Sequence, residues 1–138
     1  TLARWAAALQ RDFAARMDWC QADAYSKANH TPQAVLNGDS TSNILYLTAQ
    51  SGDEVQLTAE GSRDPDSDAL TVHWWVYPEA GTYRDSVSLS ASRGLQTRFT
   101  APPVKQQQTL HILLQIEDDG APSLTAYRRA VVAVSAPR

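Results

Sequence analysis

After Pro32 the sequence breaks into short runs rich in β-branched and aromatic residues, separated by turn formers about every eight to twelve positions. That spacing demands a β-sandwich and leaves no room for a useful helix among the runs. The clearest run sets Leu110, Ile112, Leu114 and Ile116 against His111, Leu113, Gln115 and Glu117, so one of its faces meets a core. Val55, Leu57 and Ala59 alternate with Gln56 and Thr58 between the turn residues Ser51-Gly52-Asp53 and Glu60-Gly61-Ser62. Strands are expected at 34–36, 44–49, 54–60, 70–77, 86–90, 95–101, 109–117 and 127–135. No segment recurs with a period of about 20 to 50 residues, which excludes solenoids and propellers.

Residues 2–28 follow a different rule. Leu2, Trp5, Leu9, Phe13, Met17 and Cys20 recur three or four apart, along one helical face. Alanine is abundant there, and neither Gly nor Pro interrupts before Asn29-His30-Thr31-Pro32. At that point Asn can take a left-handed C-terminal position and Pro cannot continue a helix. Such a stripe needs a cover: the sandwich, a domain preceding it, or both. The pattern is already under way at Leu2, so a piece of a longer protein is expected.

Composition removes several function classes. The net charge of −3, from 12 Lys plus Arg against 15 Asp plus Glu, gives no field to attract phosphate backbones, so generic nucleic-acid binding is excluded. The apolar share of 43%, roughly 47% with glycine, suits a packed core. The longest unbroken apolar stretch, Ala130 to Val134, is 5 residues against about 20 for a bilayer helix, so no membrane partner is expected. The single cysteine, Cys20, has no internal disulfide partner and reads as a small hydrophobe rather than a nucleophile.

Two stretches carry chemistry. Asp64, Asp66 and Asp68 alternate in one loop, where several oxygens can turn toward one calcium ion with help from Asp118, Asp119 or Glu117. The competing role is structural, with the aspartates accepting main-chain hydrogen bonds in an Asx turn. An EF-hand is excluded, because counting from Asp64 puts Ala69 where Gly is needed and Trp75 where Glu is needed. The next strand alternates Val72, Trp74 and Val76 with His73, Trp75 and Tyr77, so Trp74 goes to the core and Trp75 points away. An open row of His73, Trp75 and Tyr77, joined by Tyr83, would suit stacking on sugar rings; a covered row would be an interface.

Catalytic signatures are missing. The chain has no Gly-x-Ser-x-Gly, no glycine-rich phosphate loop and no His-Glu-x-x-His. His30, His73 and His111 are scattered without nearby Cys or His partners, which leaves zinc unsupported. The sequence shows no carboxylate pair held in a pocket with opposed environments, and among Glu54, Glu60, Glu79 and Glu117 only Glu79 stands as a candidate for a glycosidase-type site. No catalytic role is expected of this chain by itself.

The run Asp64-Pro65-Asp66-Ser67-Asp68-Ala69-Leu70 followed by Trp74, together with Ile116-Glu117-Asp118-Asp119-Gly120, resembles polycystic-kidney-disease (PKD) type immunoglobulin-like domains. Further strings sharpen the likeness: Asp12-Phe13-Ala14-Ala15-Arg16-Met17-Asp18-Trp19 with Asn29-His30, Trp74 through Tyr83, Asn37-Gly38-Asp39 and Tyr127-Arg128-Arg129. With them the whole chain resembles the C-terminal part of bacterial cellulose-binding proteins that carry a nucleoside-hydrolase-like N-terminal domain. The resemblance implies a mainly β, immunoglobulin-like (PKD-type) β-sandwich at 31–138, preceded by an N-terminal helical segment, 1–30, that is the tail of the hydrolase-like domain. It further implies a carbohydrate-associated accessory module of a secreted or periplasmic protein. Its partners would be a polysaccharide or sugar-like ligand and the hydrolase-like domain. Trp75, Tyr77, Glu79 and Tyr83 would line the boundary with that domain or reach a sugar held there. Ser67 stands where related domains place Gly, which takes the easiest positive-φ residue out of the acidic loop.

Overall fold

The computed structural model describes residues 2–138. Helix α1 (Ala3–Gln21) comes first, followed by a 3-10 turn at Tyr25–Lys27. Six strands follow: β1 (Leu45–Gln50), β2 (Glu54–Thr58), β3 (Leu70–Val76), β4 (Gln96–Thr100), β5 (Gln108–Asp118) and β6 (Thr125–Ser135). One sheet has the order β1-β6-β5-β3, with β1 parallel to β6 and the other neighbours antiparallel. β2 and β4 pair antiparallel as the second sheet. The fold is mainly β, the sandwich that the alternation calls for and of the immunoglobulin-like kind that the resemblance implies, and these strands end within two residues of their expected bounds.

Leu110, Ile112, Leu114 and Ile116 of β5 point inward and meet Trp74, Val132 and Val134 of the same sheet and Leu57 and Phe99 of the other. Trp74 is 1% exposed. Its Nε1 donates to the Gly94 carbonyl at 2.8 Å, so the indole is buried with its one polar atom satisfied.

Two expected strands are not strands. At 34–36 the chain makes only single bridges, Gln33 to Arg63 and Leu36 to Asp39. A buried guanidinium holds this segment instead. Arg128, 4% exposed, donates from Nη1 to the Ala34 carbonyl at 3.2 Å and from Nη2 to Asp39 Oδ1 at 3.0 Å and the Asn43 carbonyl at 3.1 Å. Residues 86–90 are irregular as well: Val87 and Leu89 pack on the core, while Ser90 N bonds the Arg98 carbonyl at 2.8 Å without extending a ladder.

The helical segment departs from expectation in three ways. α1 stops at Gln21, with Ala22 extended at φ −68°, ψ 131°. Asn29 is not left-handed. It is a buried tie whose Nδ2 donates to both Asp118 carboxylate oxygens at 3.1 Å and to the Pro122 carbonyl at 2.8 Å. Most important, the expected apolar stripe is split: Trp5 turns to the sandwich, whereas Leu9 is 61% and Phe13 63% exposed, and Leu2, Met17 and Cys20 are exposed too. The face that meets the sandwich carries Trp5, Ala8, Ala15 and Trp19, with Ala15 fully buried. Small alanines let the helix come close, and the two indoles supply the contact area.

Candidate functional site

The alternation of β3 turns Val72 and Trp74 inward and His73 and Trp75 outward, with Tyr77 following on the outer side. α1 lies across this outer face. The Trp5 ring centroid is 6.2 Å from that of Trp75, tilted by 35°, and meets Tyr77 edge-on at 6.3 Å and Tyr127 edge-on at 5.2 Å. Trp75 also touches Tyr127 at 6.3 Å and His73 at 5.2 Å. Leu113, in register with Trp75 on β5, is 4% exposed on the same side of the sheet. Ion pairs tack the helix down: Arg4 to Glu79 at 3.2 Å and Arg11 to Glu117 at 3.3 Å. The Trp75 Nε1 is buried without a hydrogen-bond partner.

The row His73, Trp75, Tyr77 is therefore brought together, and within this chain it is the seat of α1. Burial, and then Arg93, holds the His73 imidazole below its ordinary pKa; burial and Arg129 do the same to His111. Burial pushes the Tyr127 phenol up. Glu79 is an exposed anion whose own main-chain N–H, followed by Arg4, holds its carboxyl below the usual range. A glycosidase acid needs the opposite shift. Tyr83 does not join the row. It packs partly on the core and lines a separate groove of about 560 Å³ with Arg84, Asp85 and Lys105.

The acidic loop is built as an Asx turn. Asp64 Oδ1 accepts from Asp66 N at 2.7 Å and Asp68 N at 3.2 Å. Ser67 takes φ 66° in spite of its side chain. Asp66 turns away to His30, accepting from its main-chain N at 2.7 Å and contacting Nδ1 at 3.0 Å. Asp119 Oδ1 accepts from Ala69 N at 2.9 Å. Asp118 accepts from Asn29, from Gly120 N at 3.0 Å and from Leu124 N at 2.9 Å. Glu117 bonds the Ser123 hydroxyl at 2.9 Å. Of the five aspartates, Asp64, Asp68 and Asp118 bring one oxygen each within 4.8 Å of one another. Asp64 Oδ2 is buried there without a partner. These three are the residues that would hold a calcium ion, whose preference for oxygen donors they match. Partial desolvation, then repulsion from Asp64, Asp118, Asp119 and Asp66, raises the Asp68 pKa.

A third cluster has no signature in the sequence. Tyr25 lies flat on His30, centroids 3.7 Å apart and planes 7° from parallel, and His30 stacks on Trp19 at 5.7 Å and 9°. The three residues obey no single period, and His30 is placed by Asp66, far along the chain, so only the fold assembles them.

The kinship of the chain is decided by the part that holds most of its strands. The family model of the C-terminal domain of cellulose-binding protein Sde0182 matches residues 54–134, which hold β2 through β6, the acidic loop and both tryptophans of β3. The chain belongs to this family. A solved structure from Saccharophagus degradans, described as a nucleoside hydrolase-related hypothetical protein associated with carbohydrate metabolism, is 44% identical with a TM-score of 0.93. The match covers 96% of this chain and 32% of that one, so the chain spans about a third of that protein's length. The PKD domain of the KIAA 1837 protein is similar in fold alone, at 19% identity and a TM-score of 0.51 over 79% of this chain and 91% of that domain. No curated protein matches the chain in sequence.

Proposed function

We propose that the chain is a non-catalytic, carbohydrate-associated accessory module of a larger hydrolase-related protein. The observation that carries this reading is the Trp5 indole seated on Trp75, Tyr77 and Tyr127. It makes the outward aromatic row of β3 the joint between helix and sandwich rather than an open platform for a sugar. Its support for a carbohydrate context comes from the family, which is named for cellulose binding, and from the S. degradans relative. That relative has about twice as much chain again outside the match, which supplies a body for the opposite face of α1, where Leu9, Phe13 and Met17 are exposed. The lowered pKa of Glu79, opposite to the shift a glycosidase acid needs, supports a module without chemistry of its own. A protein that meets cellulose does so outside the cytoplasm.

The test compares the parent with the Trp75→Ala/Tyr77→Ala double variant on insoluble cellulose and in a thermal melt. Retention of the folded protein is expected to be equal for both, with a lower melting temperature for the variant. Retention lost at an unchanged melting temperature would overturn the assignment of this face and make it a sugar platform.

A further inference from the structure

Beside the acidic loop, on a different part of the surface from the Trp75 face, the ring of Tyr25 is 65% exposed. An exposed tyrosine is ordinarily a mobile one. This ring instead caps a three-layer stack whose lower members are fixed: His30 by its main-chain N and Nδ1 against Asp66, and Trp19 by Nε1 donating to the Asn29 carbonyl at 2.6 Å. The chain has thus spent the entropy of ordering an aromatic side chain without burying its outer face, which is how a preorganised binding surface is made. A groove of about 560 Å³ opens to solvent beside the ring, and Ser26, Lys27, Pro65, Asp66 and Asp68 line it. That volume lies within the usual range for ligand sites of about 300 to 1,000 Å³.

The chemistry of the groove selects its ligand. A flat ring face favours the C–H face of a pyranose, and the rim supplies both kinds of hydrogen-bonding group for hydroxyls. The Ser26 hydroxyl can donate, as can the remaining N–H groups of the Lys27 ammonium, which pairs with Asp23, and the Asp68 carboxylate, which accepts no hydrogen bond among the described residues, can accept. Carboxylates in the wall disfavour a phosphorylated or acidic ligand. We propose that Tyr25 and this groove form a binding site for a neutral glycan chain, with one hexose ring stacked on the outer face of Tyr25. This rests on the carbohydrate-associated reading above and moves the contact with sugar from the Trp75 row to the groove beside Tyr25.

The experiment uses the whole chain, with cellohexaose as the soluble probe and insoluble cellulose as the solid one. The parent, Tyr25→Ala and Tyr25→Phe are compared by retention and by NMR titration of the Tyr25 and His30 ring resonances. Tyr25→Ala is expected to weaken binding about five- to tenfold, in line with the strength of one aromatic stacking contact. Tyr25→Phe, which keeps the ring, should bind as the parent does, and the two ring systems should shift with added cellohexaose. If the parent is retained and Tyr25→Ala is retained equally, the site is wrong while the carbohydrate reading stands. If the parent neither binds cellulose nor shifts with cellohexaose, both fall.

Discussion

Trp5→Ala should release α1 from the sandwich and leave the core intact. Trp5 is half-buried, so of the 150–250 Å² that a tryptophan can bury, about 100 Å² is at stake, or about 2.5 kcal/mol at ~25 cal/mol/Å². The contacts with Trp75, Tyr77 and Tyr127 add a fraction more, bringing the loss to about 3 kcal/mol. That corresponds to on the order of 100-fold in the equilibrium between docked and undocked helix. None of the atoms removed belongs to the cluster around Trp74, so the loss is local rather than global. Native-state hydrogen exchange reads the difference directly. Amides of α1, and the Trp75 indole N–H, should lose protection by about that factor while amides of β5 keep theirs. Equal loss in α1 and β5 would show that the helix unfolds only with the core. Unchanged α1 protection would show that Trp5 contributes nothing to docking, and either result refutes the reasoning.

Trp74→Ala, by contrast, empties a site that is 1% exposed and should cost about 3 to 5 kcal/mol in chemical denaturation, with β5 protection falling along with everything else. Phe13→Glu alters a side chain that is 63% exposed, so the stability of the isolated chain should change by no more than about 0.5 kcal/mol. Under the proposed function, the same variant should lose association with a hydrolase-related domain like the part of the S. degradans relative outside the match, supplied in trans, and undiminished association would remove the outward residues as a docking surface. Asp68 has a raised pKa in the fold, so the folded state holds its proton at pH values where the unfolded chain has lost it. Stability should therefore increase as pH falls from neutral through the raised value toward the ordinary carboxylate range. With a chelator present, Asp68→Asn should flatten that rise and be at least as stable as the parent at pH 7. A less stable Asp68→Asn under those conditions would contradict the repulsion inferred among Asp64, Asp68 and Asp118.

Strand patterning is legible without coordinates because a period of two leaves only one way to bury Leu110, Ile112, Leu114 and Ile116, and the same rule separates Trp74 from Trp75. Residues 34–36 and 86–90 were not legible, because the first depends on the Arg128 guanidinium, which donates to the Ala34 carbonyl, and the second on the main chain of Arg98, which bonds Ser90 through both its N and its carbonyl, contacts that exist only after the sheets have formed. The acidic loop was half legible. Its Asx turn follows from local spacing, but Asp66 belongs to His30 and Asp118 to Asn29, partners separated by long stretches of chain.

From residues alone come the sandwich, its helical lead-in, the division of the two β3 indoles and the lack of catalytic motifs. The tertiary structure alone decided which side of α1 turns inward, since Trp5 belongs at helical spacing both to the expected stripe Leu2-Trp5-Leu9-Phe13-Met17-Cys20 and to the line Trp5-Ala8-Ala15-Trp19. A helix with two acceptable stripes takes its orientation from the surface it meets. The aromatic row of β3 accepts a tryptophan edge flanked by small alanines, and that choice both covers Trp75 and leaves Phe13 and Tyr25 facing outward.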